Sequence, residues 1–169
     1  MFAVMSLAFP FLIIRAGVSD LLTMTIPNKL CILLCVLFAL YVPFFGLGIE
    51  ELGMHLAGAG VVFVVCFGLF ALGVMGGGDA KLMTAIALWF GWTLTLLEFL
   101  LLTAVFGAAL TLGLLVARSY IILPSRLAQI GWLTHLLHPK TGIPYGLAIA
   151  AGALSVYPAS SVYGALMLP

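Results

Sequence analysis

Met75-Gly76-Gly77-Gly78-Asp79-Ala80-Lys81 sets three consecutive glycines and an acid between two long apolar runs. The whole chain has only five carboxylate side chains in 169 residues. Glycine takes positive φ without steric cost and lets another backbone come close, so this stretch reads as a helix break. An acid beside such an opening sits in backbone that can line a cavity, the one setting where irregular chain is tolerated near membrane depth. A flexible turn with an incidental charge is the plain alternative. It suits an aqueous loop better than this chain, where ionisable groups near membrane segments are costly and tend to be functional.

The surrounding composition sets the class. The chain is 65% hydrophobic and 7% charged, with mean hydropathy +1.35; a soluble domain has roughly a quarter of its residues charged. A span needs about 20 apolar residues, and the runs here are long and numerous. The expected fold class is therefore all-α, a polytopic membrane protein with six transmembrane helices. The formal net charge is +1, and no basic patch supports nucleic-acid binding. Cys31, Cys35 and Cys66 all fall inside apolar runs, with no Cys-x-x-Cys and no His/Cys cluster at zinc spacing, so they read as packing residues. Neither a metal nor another cofactor is expected.

Working outward in both directions gives spans at about 1–18, 27–48, 52–75, 82–97, 99–117 and 143–163, forming one membrane-embedded domain over 1–169. No basic residue precedes Arg15, so the opening run reads as a retained span, not a cleaved signal. Pro27 suits the first turn of a helix and disfavours helix at Ile26, placing the second start there. Glu50 and Glu51 mark the far end of span two, and Trp89 and Trp92 read as interface anchors of span four. Glu98 marks a short turn. In the connection Arg118–Gly142, Ser125 can cap a short helix closed by Pro139, with Leu127, Ile130, Leu133 and Leu137 on a face lying along the membrane surface. His135 and His138 in that segment lack a third ligand and read as interfacial polar residues.

With six spans, Arg15, Lys29, Lys81, Arg118, Arg126 and Lys140 fall on one side, and Glu50, Glu51 and Glu98 on the other. The positive-inside rule makes the first side cytoplasmic and puts both termini outside. Asp20 and Asp79, the only aspartates, share that cytoplasmic face, one just past span one and one just before span four. If spans one, three and four pack together, the two carboxylates meet at the membrane boundary. Two carboxylates in hydrogen-bonding reach do not both ionise readily, so one stays protonated. That pair can run aspartic peptidase chemistry, one acid taking a proton from water and the other polarising the scissile carbonyl. Lys81 either raises the local positive potential or simply anchors span four.

Gly76-Gly77-Gly78-Asp79 is a Gly-x-Gly-Asp motif, and Gly-Gly-Gly-Asp-Ala-Lys-Leu-Met closely resembles the second catalytic motif of type IV prepilin peptidases. Asp20, followed after five residues by Ile26-Pro27-Asn28, resembles the first motif. Pro144-Tyr145-Gly146, entering a Gly- and Ala-rich last span, is similar to that family's final helix. The resemblance implies Asp20 and Asp79 as catalytic residues, with Gly76, Gly78, Lys81, Pro27 and Asn28 in supporting motif positions. It implies prepilin or pseudopilin precursors as substrates, membrane lipid as surroundings, and a place in a bacterial inner membrane. Larger relatives carry an amino-terminal methyltransferase domain, often with paired Cys-x-x-Cys; none is present here, so the chain resembles the short peptidase-only form serving tight-adherence (Flp-type) pili. Where relatives often have basic residues before Ile-Pro-Asn, this chain has Leu-Leu-Thr-Met-Thr.

Three other readings compete. A small multi-pass carrier or proton-coupled transporter also holds acids near a broken helix, but nearer mid-span and commonly with repeated halves. A presenilin- or signal-peptide-peptidase-like enzyme shares Gly-x-Gly-Asp, yet Asp20 lacks a preceding Tyr and no Pro-Ala-Leu follows near the end. A non-catalytic assembly scaffold would not need both aspartates.

Overall fold

The computed structural model describes residues 2–120, 124, 129–139 and 141–167, and among them every regular element is helical. The helices are α1 (Phe2–Thr23), α2 (Asn28–Phe45), α3 (Ile49–Ala71), α4 (Gly77–Phe90), α5 (Leu94–Tyr120), α6 (Gly131–Leu137), α7 (Tyr145–Val156) and α8 (Ser161–Met167), with a 3₁₀ turn at Tyr157–Ala159 between the last two. Two of them, α3 and α5, are long and apolar enough to cross a membrane. Large apolar side chains point outward along the bundle: Leu7, Phe11, Ile14, Val18 and Leu22 on α1, Val61, Phe63, Val64, Val65 and Phe67 on α3, Leu101, Val105, Leu112 and Leu115 on α5. Such stripes are a poor match for water and a good one for lipid, as expected of a membrane protein.

Helix ends differ from the expected spans in physically readable ways. α1 does not stop at Val18; it continues to Thr23, so Asp20 lies within its last turn and not beyond it. Nothing between Val18 and Thr23 breaks a helix. The stop comes from Pro27, which forces extended backbone on Ile26. Met24 takes a left-handed φ of 54°, and Ser19 Oγ donates to the Thr25 carbonyl at 3.0 Å, folding the turn back on the helix. That turn buries Ile26. Pro27 is the N-cap of α2, which runs to Phe45, short of the expected residue 48, because Gly46 caps it in the left-handed region.

α3 begins at Ile49, earlier than residue 52. Glu51 accepts the Gly48 N–H at 3.1 Å, and the two glutamates occupy the first turn, where the helix dipole favours negative charge. The break between α3 and α4 is Gly73, at φ +72°, not the glycine triplet. Gly76 is the extended N-cap, and Gly77, Gly78, Asp79 and Lys81 are all helical, so α4 starts five residues ahead of the expected 82 and ends at Phe90 before Gly91. Glu98 lies within α5, which spans 94–120 in place of 99–117. The last span is interrupted: α7 gives way at Tyr157 to the 3₁₀ turn and α8.

Trp89 is not an interface anchor. It is fully buried, donates its indole N–H to the Leu34 carbonyl at 3.1 Å, and packs with Phe9, Phe38 and Tyr41 in an aromatic core, while Trp92 is exposed. The helix in the last connection exists as α6, but the side chain it buries is Leu136, outside the expected face. Ser125, Arg126, Leu127 and Lys140 lie outside the described residues. Cys31, Cys35 and Cys66 are free thiols; Cys31 and Cys66 are buried as packing residues, whereas Cys35 is exposed.

The packing partners also differ from expectation. α1 packs chiefly on α7, α5 on α7, and α4 on α3 and α2. Helix α7 is thus the central element that carries α1 against the rest, whereas the sequence suggests spans one, three and four packing together. Gly17 of α1 admits Ala150 of α7 at a distance where a Cβ would lie 2.8 Å away, which permits this close crossing.

Candidate active site

One end of the bundle gathers the last turn of α1, the first turns of α2, α4 and α7, and the ends of α3 and α5 around Ile26. A Cβ on Gly78 would stand 3.3 Å from Ile26 Cβ, and one on Gly146 would stand 2.8 Å from Ile26 Cδ1. Ile26 therefore wedges between Gly78 of α4 and Gly146 of α7, where Asp20 also packs.

Asp20 is buried, and its Oδ2 accepts the Gly146 N–H at 2.7 Å. This donor is one of the unpaired N–H groups at the start of α7, and a positive helix end suits a carboxylate. Burial raises the Asp20 pKa and the Gly146 bond partly offsets it. Asp79, in the first turn of α4, is partly buried, and its carboxyl is pushed up to about 7, first by burial and second by the charge of Asp20. The structure thus brings the two aspartates into electrostatic range, with different surroundings and different pulls on their protons.

Asp79 opens on a cleft of about 590 Å³ lined by Leu69, Val74, Met75 and Gly76 on one wall and Arg118, Thr141, Gly142, Ile143 and Tyr145 on the other. The first is apolar, continuous in sequence with the exposed Leu72 and Val74; the second mixes Arg118 and Thr141 with Ile143 and Tyr145. A Cβ on Gly76 would sit 2.9 Å from Asp79 Oδ2, so this glycine leaves the carboxylate its room. The glycines serve close approach here, not positive φ.

Of the supporting residues named from sequence, Lys81 donates from Nζ to Asn28 Oδ1 at 3.1 Å, joining the first turns of α4 and α2. The causes of the Asp79 shift are burial and Asp20, and Lys81 is not among them. Pro27 is exposed and acts by placing Ile26. His135 and His138 line, with Met24, a neighbouring cleft of about 500 Å³ that shares Thr141 and Gly142 with the first. Among the described residues no group of three or more His, Cys, Asp or Glu could hold a metal ion.

Two contributors escaped the sequence reading. Gly146 acts through its backbone, which leaves no side-chain signature, although it stood in the quoted Pro144-Tyr145-Gly146. Arg118 shows in sequence only as a charge; its guanidinium lies in the cleft wall beside the start of α7. Tyr145 reaches α5 because Gly107 has no Cβ to overlap its ring.

No curated protein and no solved structure matches the chain. A sequence model described as the type IV leader peptidase family matches residues 7–112, more than half of the chain and a stretch holding both aspartates, the Ile-Pro-Asn turn and the Gly-x-Gly-Asp helix start. On that match, and with this arrangement of acids, the chain belongs to the type IV leader peptidase family.

Proposed function

We propose that this protein is an aspartic endopeptidase that removes the leader from type IV prepilin-like precursors, pseudopilins included, at the cytoplasmic boundary of a bacterial inner membrane. The observation that carries the reading is the unequal pair of acids: Asp20 buried against a helix-start N–H, and Asp79 raised to about 7 at the cleft. Unequal carboxyls are what acid and base roles require. Asp79, protonated, donates to the scissile carbonyl oxygen. Asp20, ionised, takes a proton from water as the water oxygen bonds to the carbonyl carbon. The resulting gem-diol then collapses: the C–N bond breaks, Asp20 returns its proton to the leaving amine, and a diol hydroxyl proton goes back to Asp79. The reaction closes on both acids in their starting states with no cofactor.

The two walls of the cleft support a substrate with a polar leader followed by an apolar helix. Leu69, Val74 and Met75 suit the apolar side of the scissile bond, and the polar wall with Arg118, Thr141 and Gly142 suits the leader side. Six spans with both termini outside would put this end of the bundle in the cytoplasm, since Lys29, Lys81 and Arg118 gather there and Glu50, Glu51 and Glu98 belong to the opposite helix ends.

The test is cleavage of a prepilin by purified protein in detergent micelles. Asp20→Asn and Asp79→Asn proteins should each leave it uncleaved, with abundance and helicity unchanged, and chelators should leave the wild type active. Processing by either variant at the wild-type rate would overturn the aspartic mechanism.

A further inference from the structure

Arg118, at the end of α5, does more than add a charge to the cleft wall. Its Nε and one terminal nitrogen both donate to the Leu136 carbonyl, at 3.0 and 2.8 Å. The same side chain donates to the Thr141 carbonyl at 2.9 Å and to the Gly142 carbonyl at 2.8 Å. One guanidinium thus holds three carbonyls, from the end of α6 and from the approach to α7. Its planar fork makes this possible; an ammonium is a point charge without that geometry.

The stretch from these carbonyls to Asp20 is short and stiff. Gly142 is four residues from Gly146, whose N–H binds Asp20 Oδ2 at 2.7 Å. Between them Pro144 is fully buried with φ −72°, and the Tyr145 N–H turns back to the Ile143 carbonyl at 2.8 Å. A displacement at Thr141 and Gly142 has few torsions in which to dissipate before it reaches Gly146.

We infer that Arg118 is a positioning residue for the Asp20 carboxylate, acting through the stretch Thr141–Gly146. It fixes the place of the α7 start, and so the N–H that Asp20 accepts. Calling Asp20 a reacting group rests on the peptidase reading; the mechanical link does not. The titratable and charged groups on the elements around this end of α1 are Asp79 and Lys81 of α4, Lys29 of α2, Arg118 of α5, His135 and His138 at α6, and Tyr145 of α7, with Arg15 on α1 itself. The hydrogen bond to the Asp20 side chain comes from Gly146.

The chain has two aspartates, so protein carrying ¹³C at the aspartate carboxyls gives two signals, assigned with Asp20→Asn and Asp79→Asn. Both are titrated in wild type, Arg118→Gln and Arg118→Lys, and Gly146 amide exchange is followed in the same samples. The expected result is an Asp20 midpoint moved to higher pH by about one unit in both variants, with Gly146 exchange about tenfold faster. Because Arg118→Lys keeps the charge, a shift there reports the lost fork. An Asp20 midpoint and Gly146 exchange unchanged in Arg118→Lys would overturn the inference. So would a shift in Arg118→Gln alone that is larger at Asp79, since that marks a charge effect. If Arg118→Gln does not fold, Arg118→Lys decides. Failure of the wild type to cleave prepilin would sink the peptidase reading and leave this titration intact.

Discussion

Asp79 sits in the first turn of α4 with its carboxyl moved from 3.8 to about 7, by burial first and by Asp20 second. Between those values the folded chain keeps a proton that the unfolded chain has released, so stability falls as pH rises through that window. The contribution is fully present below about pH 4 and gone above about pH 7. Asp79→Asn removes it. Melting temperatures compared at pH 5 and pH 8 should show a smaller fall for Asp79→Asn than for wild type; an equal fall would mean Asp79 is not the raised group. Gly146 offers a second check at this scale. A Cβ there would stand 2.9 Å from both Asp20 Cβ and Oδ2, so Gly146→Ala must push the carboxylate off its N–H. Overpacking of this kind costs about 1–3 kcal/mol, and prepilin cleavage should fall at least about tenfold. Gly142 has nothing within 4 Å of its Cβ position, so Gly142→Ala should cleave as wild type does. The aspartates were legible in the sequence because charges are scarce there. A backbone donor such as Gly146 has no such mark.

At the level of elements, the sequence identified nearly every helix and misplaced most of their ends. Apolar surroundings favour continued helix, because an unpaired backbone group has no water to bond. Hence α1 runs past Val18 until Pro27 forbids it, and α4 winds through Gly77 and Gly78 although glycine is a poor helix former. Three consecutive glycines suggest a break if conformational freedom outweighs contact. Gly78 is instead the face that α4 turns to Ile26, and Gly77 faces only the edge of the Phe70 ring, 3.1 Å from its Cβ position. Gly78→Val should therefore drive α4 off Ile26 and reduce cleavage by about tenfold or more. Gly77→Ala should stay within about twofold, since Phe70 is partly exposed and free to give. Proteins matched for membrane abundance provide the comparison. Equal activity for Gly78→Val would mean that Ile26 does not set the spacing of the two acids.

For the molecule as a whole, the distribution of charge was the most readable feature. Described basic residues past the first helix, Lys29, Lys81 and Arg118, lie at the end holding the aspartates, and the glutamates belong to helix starts at the other. The way the helices meet was not readable, because α7 serves as the hub through small residues that look alike in sequence, such as Gly146, Ala150 and Gly152. The proposed topology has a direct test. In a background without Cys31, Cys35 and Cys66, cysteines placed at Ile49 and at His135 should label from opposite faces with a membrane-impermeant reagent. Labelling from one face would overturn the six-span arrangement.

The apolar wall of the cleft has a kinetic consequence. Leu72 and Val74 are exposed, at 76% and 73%, on the turn that leads to Asp79. A precursor with its helix already in the bilayer would meet this edge by lateral diffusion, so the concentration that governs its cleavage is molecules per area of lipid, not per volume of solution. In reconstituted vesicles, adding lipid at fixed amounts of enzyme and precursor in one fused population should slow cleavage in proportion to the dilution within the membrane. Changing the buffer volume around the same vesicles should leave the rate constant as it was.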